Sequence, residues 1–116
     1  MEITAPGPGR GAARLSVGPE HLNPNGVVHG AVLFAMVDTA MGAAVVSILE
    51  EGKICASVDV HLRFIRPVAR GTLDVEARVV HPGRRMVQLE ATAHDDEGHL
   101  VATASGAFVV LESPGA

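Results

Sequence analysis

The sequence predicts an α+β fold, a six-stranded antiparallel sheet curled around one long central helix. Three observations predict it. Gly30 to Glu50 carries almost nothing but Ala, Val, Leu, Ile, Met and Phe and is closed by Gly52 and Lys53, and a helix apolar on every side must be buried on every side. Four later stretches alternate apolar and polar residues with the two-residue period of strands. Tight turns rather than crossover helices join those stretches, which suits antiparallel pairing.

Glu2 to Pro6 and Arg10 to Gly18 read as two short strands around the turn Pro6-Gly7-Pro8-Gly9, with Ala13, Leu15 and Val17 alternating against Arg14, Ser16 and Gly18. Pro19 to Gly26 is a loop, and its Pro24-Asn25-Gly26 turn delivers the chain to the helix. After the helix, Ser57 to Ile65 puts Val58, Val60, Leu62 and Phe64 on one face and Ser57, Asp59, His61 and Arg63 on the other. Thr72 to Val80 turns Leu73, Val75, Ala77 and Val79 inward. Arg85 to Ala93 sets Val87, Leu89 and Ala91 against Met86, Gln88, Glu90 and Thr92. Asp95 to Gly98 turns into the last strand, Leu100 to Leu111, which is apolar on both faces at its end, as a central or interface strand would be; Ser113 to Ala116 is a tail. Such a sheet keeps two edges and leaves one helix face uncovered, so pairing of two copies is expected.

The 116 residues are expected to form one domain, 1–116, able to bury roughly two-thirds of its unfolded surface. A formal charge of -4 with no block of Lys or Arg argues against nucleic acid as a partner. The one cysteine, Cys55, reads as a small buried hydrophobe and suits a reducing, cytoplasmic setting. Met1 to Gly11 lacks an apolar core behind a basic start, so no secretory leader is expected there. Ala31 to Leu49 is long enough to raise the question of a membrane span, but it contains Asp38 and lacks basic and aromatic anchors, so no membrane partner is expected. His21, His61, His81, His94 and His99 show no metal-ligand spacing on one element.

Asp38 is the carboxylate in the apolar helix, and Asp is almost never buried without a partner. Either it sits at an interface or it has a chemical task. At the helix start the first N–H groups have no carbonyl to bond, and the macrodipole attracts negative charge there. Gly30 has no side chain to keep a ligand oxygen away, so its N–H is a candidate oxyanion donor. Eight residues separate Gly30 from Asp38, which is about 12 Å along the axis and on another side of the helix. A base and an oxyanion donor must both come within about 3 Å of the reacting group. The two are therefore unrelated, or Gly30 of one subunit works with Asp38 of a second whose helix runs antiparallel across a dyad, which is the reading preferred here.

His21-Leu22-Asn23, Gly26, His29-Gly30-Ala31, Val37-Asp38 and Ser57-Val58-Asp59-Val60 together resemble the phenylacetate-pathway (PaaI-like) type of acyl-CoA thioesterase of the hotdog-fold superfamily. The resemblance covers nearly the whole chain. It implies a thioester hydrolase in which the glycine N–H polarises the carbonyl and the helix carboxylate acts as base or nucleophile. Further, it implies that an asparagine before the helix and a serine or threonine at the start of the next strand orient carboxylate and water. These positions fall on Gly30, Asp38, Asn23 and Ser57. The resemblance also implies active sites between two subunits, a homodimer and a tetramer built from dimers. Coenzyme A enters as part of the acyl-CoA substrate, with no separate cofactor. Two departures stand out: Ala31 replaces the second glycine of the family's His-Gly-Gly, and the sequence starts at the first strand, without the leading helix many relatives carry.

His29 is a candidate substrate contact, although at a helix start its imidazole is expected to bond backbone. Arg63, Arg66, Arg84 and Arg85 flank turns or strand ends and are candidates for the coenzyme A phosphates, which guanidinium binds in bidentate fashion. With three Phe and no Trp or Tyr, aromatic stacking is left to Phe34, Phe64 and Phe108, a slight argument against large aromatic acyl groups. Two other readings compete. An enoyl-thioester hydratase of the same fold would recruit His29 with Asp38, and a non-catalytic acyl-CoA binding protein would bind coenzyme A without releasing thiol; an anionic Asp38 beside an anionic ligand argues against the second.

Overall fold

The computed structural model describes residues 1–114. Its elements follow the expected order: β1 (Glu2–Gly7), β2 (Arg10–Ser16), a 3-10 turn (Pro19–His21), α1 (Gly30–Val46), β3 (Lys53–Phe64), β4 (Thr72–Pro82), β5 (Met86–Asp95) and β6 (Leu100–Glu112). All six strands form one antiparallel sheet in the order β1-β2-β4-β5-β6-β3, so β6 is interior, as its apolar end predicts, and β3 is an edge.

One face of α1 supplies the core. Leu33, Met36, Val37, Ala40, Met41, Ala44 and Val45 are buried against Leu73, Val75 and Ala77 of β4, Val87, Leu89 and Ala91 of β5, and Val101 and Phe108 of β6. The expectation of burial on every side fails within the chain, because the sheet reaches only that face. Ala31, Phe34, Ala35 and Val46 remain exposed.

The helix can lie close to β2 because Gly11 faces it. A Cβ at Gly11 would overlap the Ala40 carbonyl oxygen and lie 2.7 Å from Ala44 N, so backbone meets backbone at this crossing. Gly11→Ala is therefore expected to lose about 1–3 kcal/mol of stability by overpacking, read from urea unfolding at a fixed protein concentration. An unchanged midpoint would mean that β2 and α1 can separate freely.

Most boundaries fall within two residues of the sequence reading, and two differ by four. The helix ends at Val46 rather than Glu50, because the Ser47 hydroxyl donates to the Ala44 carbonyl and the Ile48 and Leu49 N–H groups bond three residues back. β3 begins at Lys53 rather than Ser57. β6 ends at Glu112, so the tail starts at Ser113 as expected, with the Ser113 N–H bonding the Gly52 carbonyl at 2.9 Å; Gly115 and Ala116 lie outside the described residues.

The largest correction concerns the faces of β3. Ser57 pairs with Phe108 and Asp59 with Ala107, leaving Val58 as the extra residue of a β-bulge. The bulge resets the alternation. Cys55 and Ser57, opposite Val110 and Phe108, share the helix-facing side with Val60, Leu62 and Phe64, whereas an unbroken strand would turn Ser57 outward. Val58, expected inward, is 56% exposed.

Candidate active site

A short hairpin delivers the chain to the helix start. Leu22 bridges Val28, the Asn23 N–H bonds the Val27 carbonyl, and the His29 N–H bonds the His21 carbonyl. The Asn23 carboxamide oxygen accepts from the N–H groups of Asn25 (2.9 Å) and Val27 (3.3 Å), which fixes the turn and leaves its NH2 as the group able to reach outward. The Val28 N–H bonds the Val68 carbonyl at 2.7 Å and ties the hairpin to the connection between β3 and β4.

His29 is the N-cap: its Nδ1 accepts from the Ala31 N–H at 3.0 Å, which leaves Nε2 for any other contact. Gly30 is the first helical residue, where an N–H has no intrahelical acceptor. A Cβ on Gly30 would lie 3.0 Å from the Cζ of Phe64, so the phenyl ring covers the space that glycine leaves open. Beside it a groove of about 440 Å³ is lined by Val27, Leu33, Phe64, Arg66, Leu73 and Val101, among others.

Asp38 lies half-buried in the middle of α1. Among the described residues its Oδ1 is the one buried side-chain oxygen or nitrogen without a hydrogen-bond partner. Such an atom costs about 1–3 kcal/mol and calls for an explanation. The carboxylate faces β3: burial pushes the Cys55 thiol above its ordinary value and the charge of Asp38 adds to this, so Cys55 is a protonated thiol at neutral pH. Ser57, two residues beyond Cys55, faces the same side because of the bulge.

The expected site residues thus gather in two places within one chain. Asn23, His29, Gly30 and Arg66 surround the helix start, and Asp38 and Ser57 stand at its middle. The other arginines are not brought together. Arg63 faces away from the helix beside Arg10, Arg78 and Glu90, while Arg84 lies with Lys53 and Glu50 at the far end of α1, next to Arg85 on the β4–β5 hairpin. No three His, Cys, Asp or Glu side chains among the described residues are grouped to hold a metal ion, and no described helix is long and apolar enough to cross a membrane.

Comparison with known proteins identifies the family. The model of the thioesterase superfamily matches residues 25–102, the stretch from the turn before α1 to the start of β6. The chain belongs to the thioesterase superfamily. This makes it a member of a family of thioester hydrolases, and its sheet around one helix is the hotdog fold. An inferred esterase of Saccharolobus solfataricus is 35% identical over 73% of the chain, and the match spans 56% of that relative's own length. The PaaI protein of the Escherichia coli phenylacetic acid degradation operon superposes with a TM-score of 0.88 at 25% identity, over 97% of this superfamily member and 80% of PaaI. A Bacillus halodurans protein solved with coenzyme A superposes with a TM-score of 0.85 at 31% identity, over 94% of this chain and 71% of that one.

Proposed function

We propose that the protein hydrolyses acyl-CoA thioesters to the free acid and coenzyme A, at sites formed between two copies of the chain. The observation that carries the reading is the unsatisfied Asp38 Oδ1, about 12 Å along the same helix from the free N–H of Gly30. Among the described residues neither group has a hydrogen-bond partner, and they are too far apart to serve one carbonyl. An antiparallel second helix would bring each within reach of the other's counterpart.

The sheet edges support such a pair. β1 is a short edge carrying Pro6, a feature that discourages pairing, whereas β3 is a 12-residue edge bearing exposed Ile54 and Val58. β3 also lies on the side where Asp38 and Ser57 face. Joining two copies along β3 would cover these side chains and the uncovered face of α1. A tetramer made from two such dimers follows the family resemblance.

In the mechanism the thioester carbonyl oxygen accepts from the Gly30 N–H, in line with the dipole of α1. Asp38 of the other subunit removes a proton from water, which attacks the carbonyl carbon; the carbon–sulfur bond breaks and the proton passes to the departing thiolate. Direct attack by Asp38 to give a mixed anhydride, then hydrolysed, uses the same contacts. Asn23 accompanies Gly30 and Ser57 accompanies Asp38, so each half-site would bring its own orienting side chain. Arg66, beside Gly30, is the arginine best located to meet the substrate near the site. Coenzyme A bound to the Bacillus halodurans relative supports this class of substrate.

Incubation with a panel of acyl-CoA and enoyl-CoA thioesters, following free thiol and enoyl absorbance together, tests the reading. Thiol release is the expected result. Loss of enoyl absorbance without thiol would mean hydration, and tight coenzyme A binding without either would mean a binding protein.

A further inference from the structure

The groove beside Gly30 runs from the surface into the core. Its mouth is Phe64, Ile65 and Arg66, with Phe64 58% exposed. Its floor is Leu33, Leu73 and Val101, each no more than 3% exposed. Every side chain below the mouth is aliphatic, and the Phe64 ring lies against the Gly30 backbone. A large exposed phenyl resting on the first turn of a helix, above an aliphatic slot, is unusual for a solvated sheet edge.

We infer that this slot holds the acyl chain of the substrate, in the subunit whose Gly30 N–H holds the carbonyl, and that Phe64 sets how far the chain reaches. The inference rests on the proposed thioester hydrolysis. A carbonyl oxygen on the Gly30 N–H puts the first carbons of the acyl group beside the Phe64 ring, and the chain can then run toward Leu33 and Leu73 without crossing a polar group. The pantetheine arm fits this floor poorly. Its two amides would be buried among aliphatic side chains with no partners, a cost that a hydrocarbon chain does not carry.

The test compares wild type, Phe64→Ala and Phe64→Trp over saturated acyl-CoAs from acetyl to dodecanoyl, reading kcat/KM. In parallel, calorimetry measures binding of the same series and of free coenzyme A to each Phe64 form carrying Asp38→Asn. Phe64→Ala is expected to move the preferred length upward and Phe64→Trp downward. The ratio of long-chain to short-chain kcat/KM should change by about tenfold or more, since a single methylene in such a pocket is worth that much. The acyl-CoA affinities should follow the same order, while affinity for free coenzyme A should not. A common factor across all lengths, or a change that appears equally with free coenzyme A, would overturn the inference and assign the slot to the pantetheine arm or to a partner side chain. If no thioester is hydrolysed, the proposed activity falls, and the calorimetric series still decides the slot: a length order that shifts with Phe64 upholds it, and a length order that does not overturns it.

Discussion

Asp38→Ala is expected to fold, to form the same oligomer as wild type and to hydrolyse acyl-CoA about 100-fold or more slowly, with the loss in kcat rather than KM. The magnitude follows from removing the group that activates water or attacks the carbonyl. A second consequence separates this from a structural role. Asp38 Oδ1 is buried without a hydrogen-bond partner among the described residues, so the wild-type carboxylate costs stability that the methyl group does not. The variant should unfold at the same or a higher urea midpoint while losing activity, the pattern of a residue kept for chemistry. Lower stability together with lower activity would mean that Asp38 is a packing or interface residue.

Gly30→Pro addresses the other half of the proposed site. Proline is tolerated at the first position of a helix, where its missing N–H would have no intrahelical acceptor. His29, before it, has φ -63 and ψ 138, the extended conformation that a following proline favours. The substitution therefore deletes the proposed oxyanion donor and keeps the helix. The ring approaches the Phe64 side chain, which is exposed and able to move. A loss of about 100- to 1000-fold in kcat is expected, the scale for one oxyanion donor. Gly30→Ala, which adds bulk but keeps the N–H, should cost less; equal losses in the two variants would mean that space rather than the amide matters there.

The helix is legible in the sequence from its unbroken apolar run, and the inward faces of β4 and β5 from their unbroken alternation. The local chemistry of the helix start was legible as well, since the imidazole of His29 and the absent side chain of Gly30 act within one turn. Other features left no trace in the pattern. Ser57-Val58-Asp59-Val60 alternates without a flaw, so nothing marks Val58 as a bulge, yet that one residue turns Ser57 to the helix-facing side. Ile48 and Leu49 continue the apolar run past Ser47, whose hydroxyl bonds the Ala44 carbonyl where the helix ends. The ring of Phe64 over Gly30 and the scatter of Arg63, Arg66, Arg84 and Arg85 depend on how distant segments meet, which no spacing along the chain records.

The sharing of each site between two subunits is tested most directly by combining Gly30→Pro and Asp38→Ala in one mixed dimer, isolated through two different tags. One site of that dimer carries both lesions and the other carries neither, so about half of wild-type activity is expected from two nearly inactive parents. A mixed dimer no more active than either parent would contradict the account.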